Sequence, residues 1–116
     1  MIESAVDYRS RVLKLYEQTS LEQIHSLIEF MCQIQSCGRK LIVAGNGGSF
    51  STASHFVADM TIGNSIRQIR SLEVVNAYEN NPSLTAASND GSFSESLGIY
   101  LQSIGRKGDA LFLFSA

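Results

Sequence analysis

Two short stretches of this 116-residue chain hold residue types at spacings that could do chemistry. The first is Gly45-Asn46-Gly47-Gly48-Ser49. Glycines at 45, 47 and 48 permit positive φ and a close backbone approach. Placed between a strand and a helix, such a turn gathers backbone N–H groups and a positive helix end around an anion. Ser49 adds a hydroxyl at the helix start, and Asn46 offers an amide to a sugar hydroxyl. No Gly-Lys-Ser/Thr follows, which excludes a nucleotide P-loop, and Phe50 stands where a dinucleotide fingerprint has its third glycine. Spacing alone leaves a second reading open, a tight βα turn with an N-capping serine that binds nothing.

The second stretch carries His55 and Asp59, four apart and therefore on one face of a helix. Such a pair can give zinc two of its ligands if others come from elsewhere. It can also serve as acid/base machinery for moving a proton between C1 and C2 of a sugar. On spacing alone the plainer reading is a hydrogen-bonded surface pair. Cys32 and Cys37 match no zinc or redox pattern, and two idle thiols fit a reducing, cytoplasmic compartment. His25 reads as an exposed helix residue without a special role.

The elements that must position these residues are legible from periodicity. Val12, Leu13 and Tyr16 mark a first helix reaching back towards Ser4. Ile24, Leu27, Ile28 and Met31 form a stripe on a second, with Ser20 and Gln23 as a candidate capping box and Gly38 as its stop. Leu41-Ile42-Val43-Ala44 reads as a buried parallel strand, and the Gly-rich turn leads into a helix from about Ser51 to Met60. A second strand is expected at 72–75 and a short helix after Pro82. Ser88-Asn89-Asp90-Gly91 reads as a turn, 93–104 as a helix, and 110–114 as a third strand. Strands alternating with helices predict a three-layer α/β fold, a parallel sheet with right-handed crossovers and helices on both faces. The third strand could be an unprotected apolar edge, so the sheet is expected to continue past Ala116 or to be covered by another copy.

Composition narrows the classes. Hydrophobic residues make up 44% and charged residues 17%, which argues against disorder. A net charge of −2 leaves no electrostatic footprint for nucleic acid or an anionic membrane. Arg39-Lys40 and Arg106-Lys107 read as solvated loop positions. No apolar run approaches the ~20 residues of a membrane span, and the mixed, partly acidic start at Met1-Ile2-Glu3 lacks the pattern of a signal peptide.

Gly45-Asn46-Gly47-Gly48-Ser49 together with Thr52-Ala53-Ser54-His55-Phe56 resembles the phosphoheptose isomerase family within the sugar isomerase (SIS) superfamily. Ser88-Asn89-Asp90-Gly91 and Gly105-Arg106-Lys107-Gly108-Asp109 extend the resemblance, which covers essentially the whole chain. It implies a SIS, flavodoxin-like fold, with 1–116 as the N-terminal part of a single SIS domain that stops short at its C-terminus. It further implies an aldose–ketose isomerase of sedoheptulose 7-phosphate, supplying heptose for surface polysaccharide, or else a non-catalytic sugar-phosphate-binding module with a regulatory or scaffolding role.

By the same resemblance Asn46, Gly47, Gly48 and Ser49 hold substrate, with Ser49 near its phosphate. Asn89 and Asp90 contact the sugar, and Ser115 opens a serine/threonine-rich phosphate loop. His55 matches a metal-ligand histidine, and Asp59 falls where the isomerases carry a glutamate acting as catalytic base and ligand; zinc is the implied cofactor. Asp is one methylene shorter, and displacements near 1 Å can cost about a hundredfold in rate. A homotetramer or homodimer is implied, since the family's sites are built between subunits. Without the second phosphate loop and the C-terminal helix, these residues alone are expected to be a poor catalyst.

Overall fold

The computed structural model describes residues 3–115; Met1, Ile2 and Ala116, on which the readings of the chain's two ends partly rest, lie outside them. The chain divides into two compact units, one running to Phe30 and the other starting at Met31.

In the first unit Ser4 caps α1 (Ala5–Gln18), its side chain accepting from the Asp7 N–H at 3.1 Å. Ser20 does the same for the Gln23 N–H at 3.2 Å at the start of α2 (Leu21–Ser36). This is the serine half of the expected capping box, worth about 1 kcal/mol in a typical helix. The predicted stripes form on their helices, yet Val12, Leu13, Tyr16, Ile24, Leu27 and Ile28 are exposed.

In the second unit α2 ends as expected. Gly38 adopts φ +63, its N–H bonds to Gln35 O, and the Arg39 N–H bonds to Ile34 O, the two bonds of a Schellman cap. Strands β1 (Lys40–Ala44), β2 (Glu73–Asn76) and β3 (Ala110–Leu113) make a parallel sheet in the order β2-β1-β3. Alternation along the strands sends side chains to opposite faces. Leu41, Val43, Val74 and Ala110 pack with Ala53 of α3 (Gly48–Ala58), joined by Met31 and Ile34 of α2. Ile42 and Ala44 face the other way, against Leu97, Tyr100, Leu101 and Ile104 of α6 (Ser96–Ile104). The crossover from β1 through α3 to β2 runs over one face, and the crossover from β2 through α6 to β3 runs back past β1 over the other, so the two have the same hand, as the predicted parallel crossovers require.

Several boundaries differ from the sequence reading. The third helix begins at Gly48, earlier than expected, so the last two residues of the Gly-rich motif form its first turn. It runs on through a π-helical turn, Asp59–Gly63, into α4 (Asn64–Ile66). Ser88, Asn89 and Asp90 are not a turn but the end of α5 (Asn81–Asp90), with Gly91 as its C-cap. Asn80 caps that helix, and the Ser88 hydroxyl bonds back to Leu84 O at 2.8 Å, so short polar side chains are satisfied inside it. Residues 93–95 precede the last helix as a turn.

Lys40 is not a solvated loop residue. It opens β1, its ammonium lies 3.0 Å from Asp109 Oδ2, and the two side chains are 12% and 7% exposed. Asp109 also accepts from the Lys40 N–H at 3.2 Å and the Arg106 N–H at 2.8 Å. Burial by itself raises the Asp109 carboxyl, but the bonds from Lys40 and Arg106 and the Lys40 charge outweigh it and bring the pKa from 3.8 to about 2. This clasp fastens the turn before β3 to the start of β1. As expected for an edge, β3 pairs on one side only, and Leu111 and Leu113 are 44% and 54% exposed. Among the described residues no helix is long and apolar enough to cross a membrane.

Candidate functional site

The site begins where β1 runs out. Ala44 and Gly45 are buried, and the chain then turns through Asn46-Gly47-Gly48-Ser49. The Ser49 N–H donates to Asn46 O at 3.0 Å, and Gly47 has φ 55 and ψ −122. Those angles belong to the first central residue of a type II′ turn, where glycine is favoured. Gly45 is needed for a different reason, since a Cβ there would lie 2.6 Å from the Ser49 carbonyl carbon and oxygen. Gly48 needs neither freedom: its φ is not positive and a Cβ would meet open space.

Gly47 is the N-cap of α3 and makes no side-chain cap bond, so Ser49 is not the capping serine of the second reading. Its hydroxyl is left to other partners. The N–H groups of Gly47 and Gly48 have no acceptor among the described residues. Together with the dipole of an 11-residue helix, they make the turn an anion-seeking surface.

That surface borders a cavity of about 370 Å³ lined by Ala44, Asn46, Ser49, Tyr78, Phe114 and Ser115, among others. It sits at the carboxyl ends of β1 and β3, beside the strand at which the sheet order reverses, the usual place for a ligand in an open α/β sheet. The Phe114 N–H donates to Ala44 O at 2.8 Å and brings Ser115 alongside the turn. Asn46, Ser49 and Ser115 thus line one cavity, although 66 residues separate the last two.

His55 and Asp59 form a second group. Nε2 and Oδ2 are 3.6 Å apart, too long for a good hydrogen bond, and the side chains are 80% and 62% exposed. They line a separate, open cavity of about 500 Å³ with Ser51, Thr52, Phe56 and Phe114. Asp59 is the first residue of the π-helical turn, a feature often found at functional sites. For a metal the pair falls short by itself: a tetrahedral zinc takes four ligands, and no group of three or more His, Cys, Asp or Glu stands ready among the described residues. Asn89 and Asp90 join neither group. Both are exposed at the end of α5, and they line neither of these cavities.

Some residues around the turn were not singled out from sequence. A further cavity of about 380 Å³ lies against Gly45, Asn46 and Gly47 and is lined by Phe50, Tyr78, Glu79, Leu84 and Phe93. The rings of Tyr78 and Phe93 are stacked, with centroids 6.4 Å apart. Buried Asn76 closes the end of β2, donating to Ser54 Oγ at 2.9 Å and accepting from the Tyr78 N–H at 3.1 Å. Tyr78 and Glu79 lie just past the carboxyl end of β2, after Ala77, where an α/β sheet presents functional loops, and that position was a usable signal.

No family model matches the chain. It is 33% identical over 92 residues to a probable phosphoheptose isomerase of Thermoplasma acidophilum, which covers 79% of this chain and 50% of that protein. A phosphoheptose isomerase of Clostridium acetobutylicum is 27% identical over 110 residues, covering 95% and 55%. The structure of the phosphoheptose isomerase GmhA from Neisseria gonorrhoeae superposes with a TM-score of 0.77 at 30% identity, over 89% of this chain and 52% of that one. The chain spans about half the length of the relatives it matches. Shared sequence over most of its length, the three-stranded parallel sheet and the glycine turn at its reversal point agree, and the chain is similar to about half of a phosphoheptose isomerase.

Proposed function

We propose that this chain is the N-terminal part of one SIS domain in an aldose–ketose isomerase that acts on sedoheptulose 7-phosphate. The observation that carries the reading is the cavity at the ends of β1 and β3, lined together by Asn46 and Ser49 of the type II′ turn and by Ser115. The phosphate lies on the N–H groups of Gly47 and Gly48 and the hydroxyls of Ser49 and Ser115, and Asn46 bonds a sugar hydroxyl. Asn89 and Asp90, exposed at the end of α5, contact the sugar from outside this cavity. Asp59 takes the proton from C1 of the ketose and returns it at C2, and His55 orients the substrate. Where zinc is bound, His55 and Asp59 are two of its ligands and two more come from beyond these residues; it would supply charge neutralisation at the sugar oxygens.

The protein works in the cytoplasm as a homotetramer or homodimer, on a phosphorylated sugar and without direct nucleic-acid contact. Two unpaired cysteines and the exposed apolar stripes of α1 and α2 support that setting.

A second reading, a non-catalytic sugar-phosphate-binding module, is favoured by one observation. Asp59 is a methylene shorter than the family's glutamate, and its carboxylate is 62% exposed. The deciding experiment follows ketose-to-aldose conversion by the full-length protein, with and without zinc. Turnover establishes the enzyme; tight sugar-phosphate binding with no turnover in either condition establishes the module.

A further inference from the structure

The parallel ladder continues one step past the ends of β2 and β3. The Ala77 N–H donates to Val43 O at 2.8 Å, and the Phe114 N–H donates to Ala44 O at 2.8 Å. Each flanking chain is therefore still tied to β1 where the glycine turn begins. The next residue is Tyr78 on one side and Ser115 on the other. Adjacent strands lie about 4.8 Å apart, so the two loops emerge on either side of Asn46, about 10 Å from each other. Both residues, with Asn46 and Ser49, line the cavity at the ends of β1 and β3.

Tyr78 is held there from three directions. Its N–H donates to Oδ1 of buried Asn76 at 3.1 Å. Its side chain packs on the buried cluster of Ile42, Ala44 and Ala77. Its ring stacks on that of Phe93, with centroids 6.4 Å apart and planes inclined by 17°. The phenol itself makes no hydrogen bond among the described residues, although Tyr78 is half-buried, and its oxygen is not closed off. A buried phenol ordinarily finds a partner. Here the ring is fixed and the hydroxyl is left for a ligand.

Resting on the reading above, we propose that Tyr78 is a substrate-binding residue that holds the sugar end of the phosphosugar. In that reading the phosphate lies with Ser49 and Ser115, on the β3 side of the cavity. Tyr78 enters from the β2 side, and Asn46, already given a sugar hydroxyl, lies between the two in sheet order. A phenol both donates and accepts, which suits a sugar hydroxyl. The phosphate needs donors alone, and backbone N–H groups and serine hydroxyls supply them. Tyr78 thereby separates a phosphosugar from free phosphate.

The test titrates the full-length protein by calorimetry with sedoheptulose 7-phosphate and, separately, with inorganic phosphate. Tyr78→Phe keeps the ring, its stacking and its packing and removes only the hydroxyl. It should weaken sugar-phosphate binding by roughly two- to tenfold, the worth of one neutral hydrogen bond. Phosphate affinity and thermal unfolding should not change. Where the protein turns over, kcat/KM should fall by the same factor. Tyr100→Phe is the control and should alter neither affinity, since Tyr100 packs on the same cluster but lines neither cavity at the turn.

Equal sugar-phosphate affinity in wild type and Tyr78→Phe overturns the proposal. So does a loss shared equally by inorganic phosphate, which would put the phenol on the phosphate instead. If Tyr78→Phe fails to fold, Tyr78→Leu, which also lacks the hydroxyl, decides by the same two titrations. A wild type that binds inorganic phosphate but no sugar phosphate overturns the function proposed above and this contact with it. A wild type that binds both, with Tyr78→Phe unaffected, overturns the contact alone.

Discussion

Replacing Gly45 with alanine isolates how the turn is held. The added methyl would sit 2.6 Å from both the carbonyl carbon and oxygen of Ser49 and 2.9 Å from its Cβ. All three belong to one residue of the first turn of α3, and two are backbone atoms with no rotamer to escape into. Reaching ordinary contact requires the start of α3 to move off β1 by about 0.8 Å, the sort of overpacking that costs about 1–3 kcal/mol. The same movement carries Asn46 and Ser49 away from Ser115, and a misplacement near 1 Å is worth about a hundredfold in rate.

Gly48→Ala is the control. It lies in the same motif, its N–H is retained, and its Cβ meets nothing within 4 Å. As a helical glycine it should gain about 0.5–1 kcal/mol on replacement. Urea unfolding of both variants, with calorimetric titration of inorganic phosphate, reads stability and anchoring separately. Gly45→Ala should lose both. If Gly45→Ala unfolds and binds like wild type, or if Gly48→Ala is destabilised as much, the close approach of β1 to α3 is not what shapes the turn.

Gly47→Val places a β-branched residue at φ 55, a strain of about 1–3 kcal/mol, and sets its side chain where an anion would approach. Calorimetry should find sugar-phosphate binding abolished; unchanged affinity removes the turn from the site. Asp59→Asn in the full-length protein should lower isomerisation by roughly 10²–10⁴, the range of general-base catalysis. Asp59→Glu should maintain or raise it, and activity indifferent to Asp59→Asn refutes the role given to this carboxylate.

Asp109 has a folded pKa of about 2 against an ordinary 3.8, so its ionised clasp stabilises the fold fully above pH 3.8 and is lost as pH falls from 3.8 towards 2. Asp109→Asn leaves the Lys40 ammonium buried without its counter-charge, costs about 3 kcal/mol, and should flatten the acid limb of a stability-against-pH curve. An acid limb identical to wild type would refute that assignment.

The fold was legible because its signals are local. Leu41-Ile42-Val43-Ala44 is fully buried on both faces, and such a strand has no polar side to hide its period. Gly38 stops α2 in the one conformation that glycine enters freely, and Ser20 and Pro82 sit where helices start. Boundaries failed where side chains serve two purposes. Gly48 and Ser49 read as loop because glycine weakens a helix, yet a first helical turn lacks N–H partners anyway and tolerates it. Ser88, Asn89 and Asp90 read as turn because such residues favour turns, but the Ser88 hydroxyl finds Leu84 O within the helix. Lys40 read as solvated because the residue that neutralises it is 69 positions away.

The candidate site divides along the same line. The glycine turn could be read from sequence since its parts are consecutive and each glycine has a backbone reason or a helical one. The join between Ser49 and Ser115 could not be read from spacing, because it depends on β3 pairing beside β1 and on the bond from the Phe114 N–H to Ala44 O. His55 and Asp59 were correctly put on one helical face, but a helical face does not say which cavity it borders. The answer depends on another part of the chain: Phe114, just past β3 at the end of an apolar run that periodicity assigns only to the core, lines both the cavity beside the turn and that of the pair. A residue that lines two cavities has no sequence signature of its own. Its role is fixed by strand order, and strand order is the property of an α/β sheet that single-strand patterns leave undetermined.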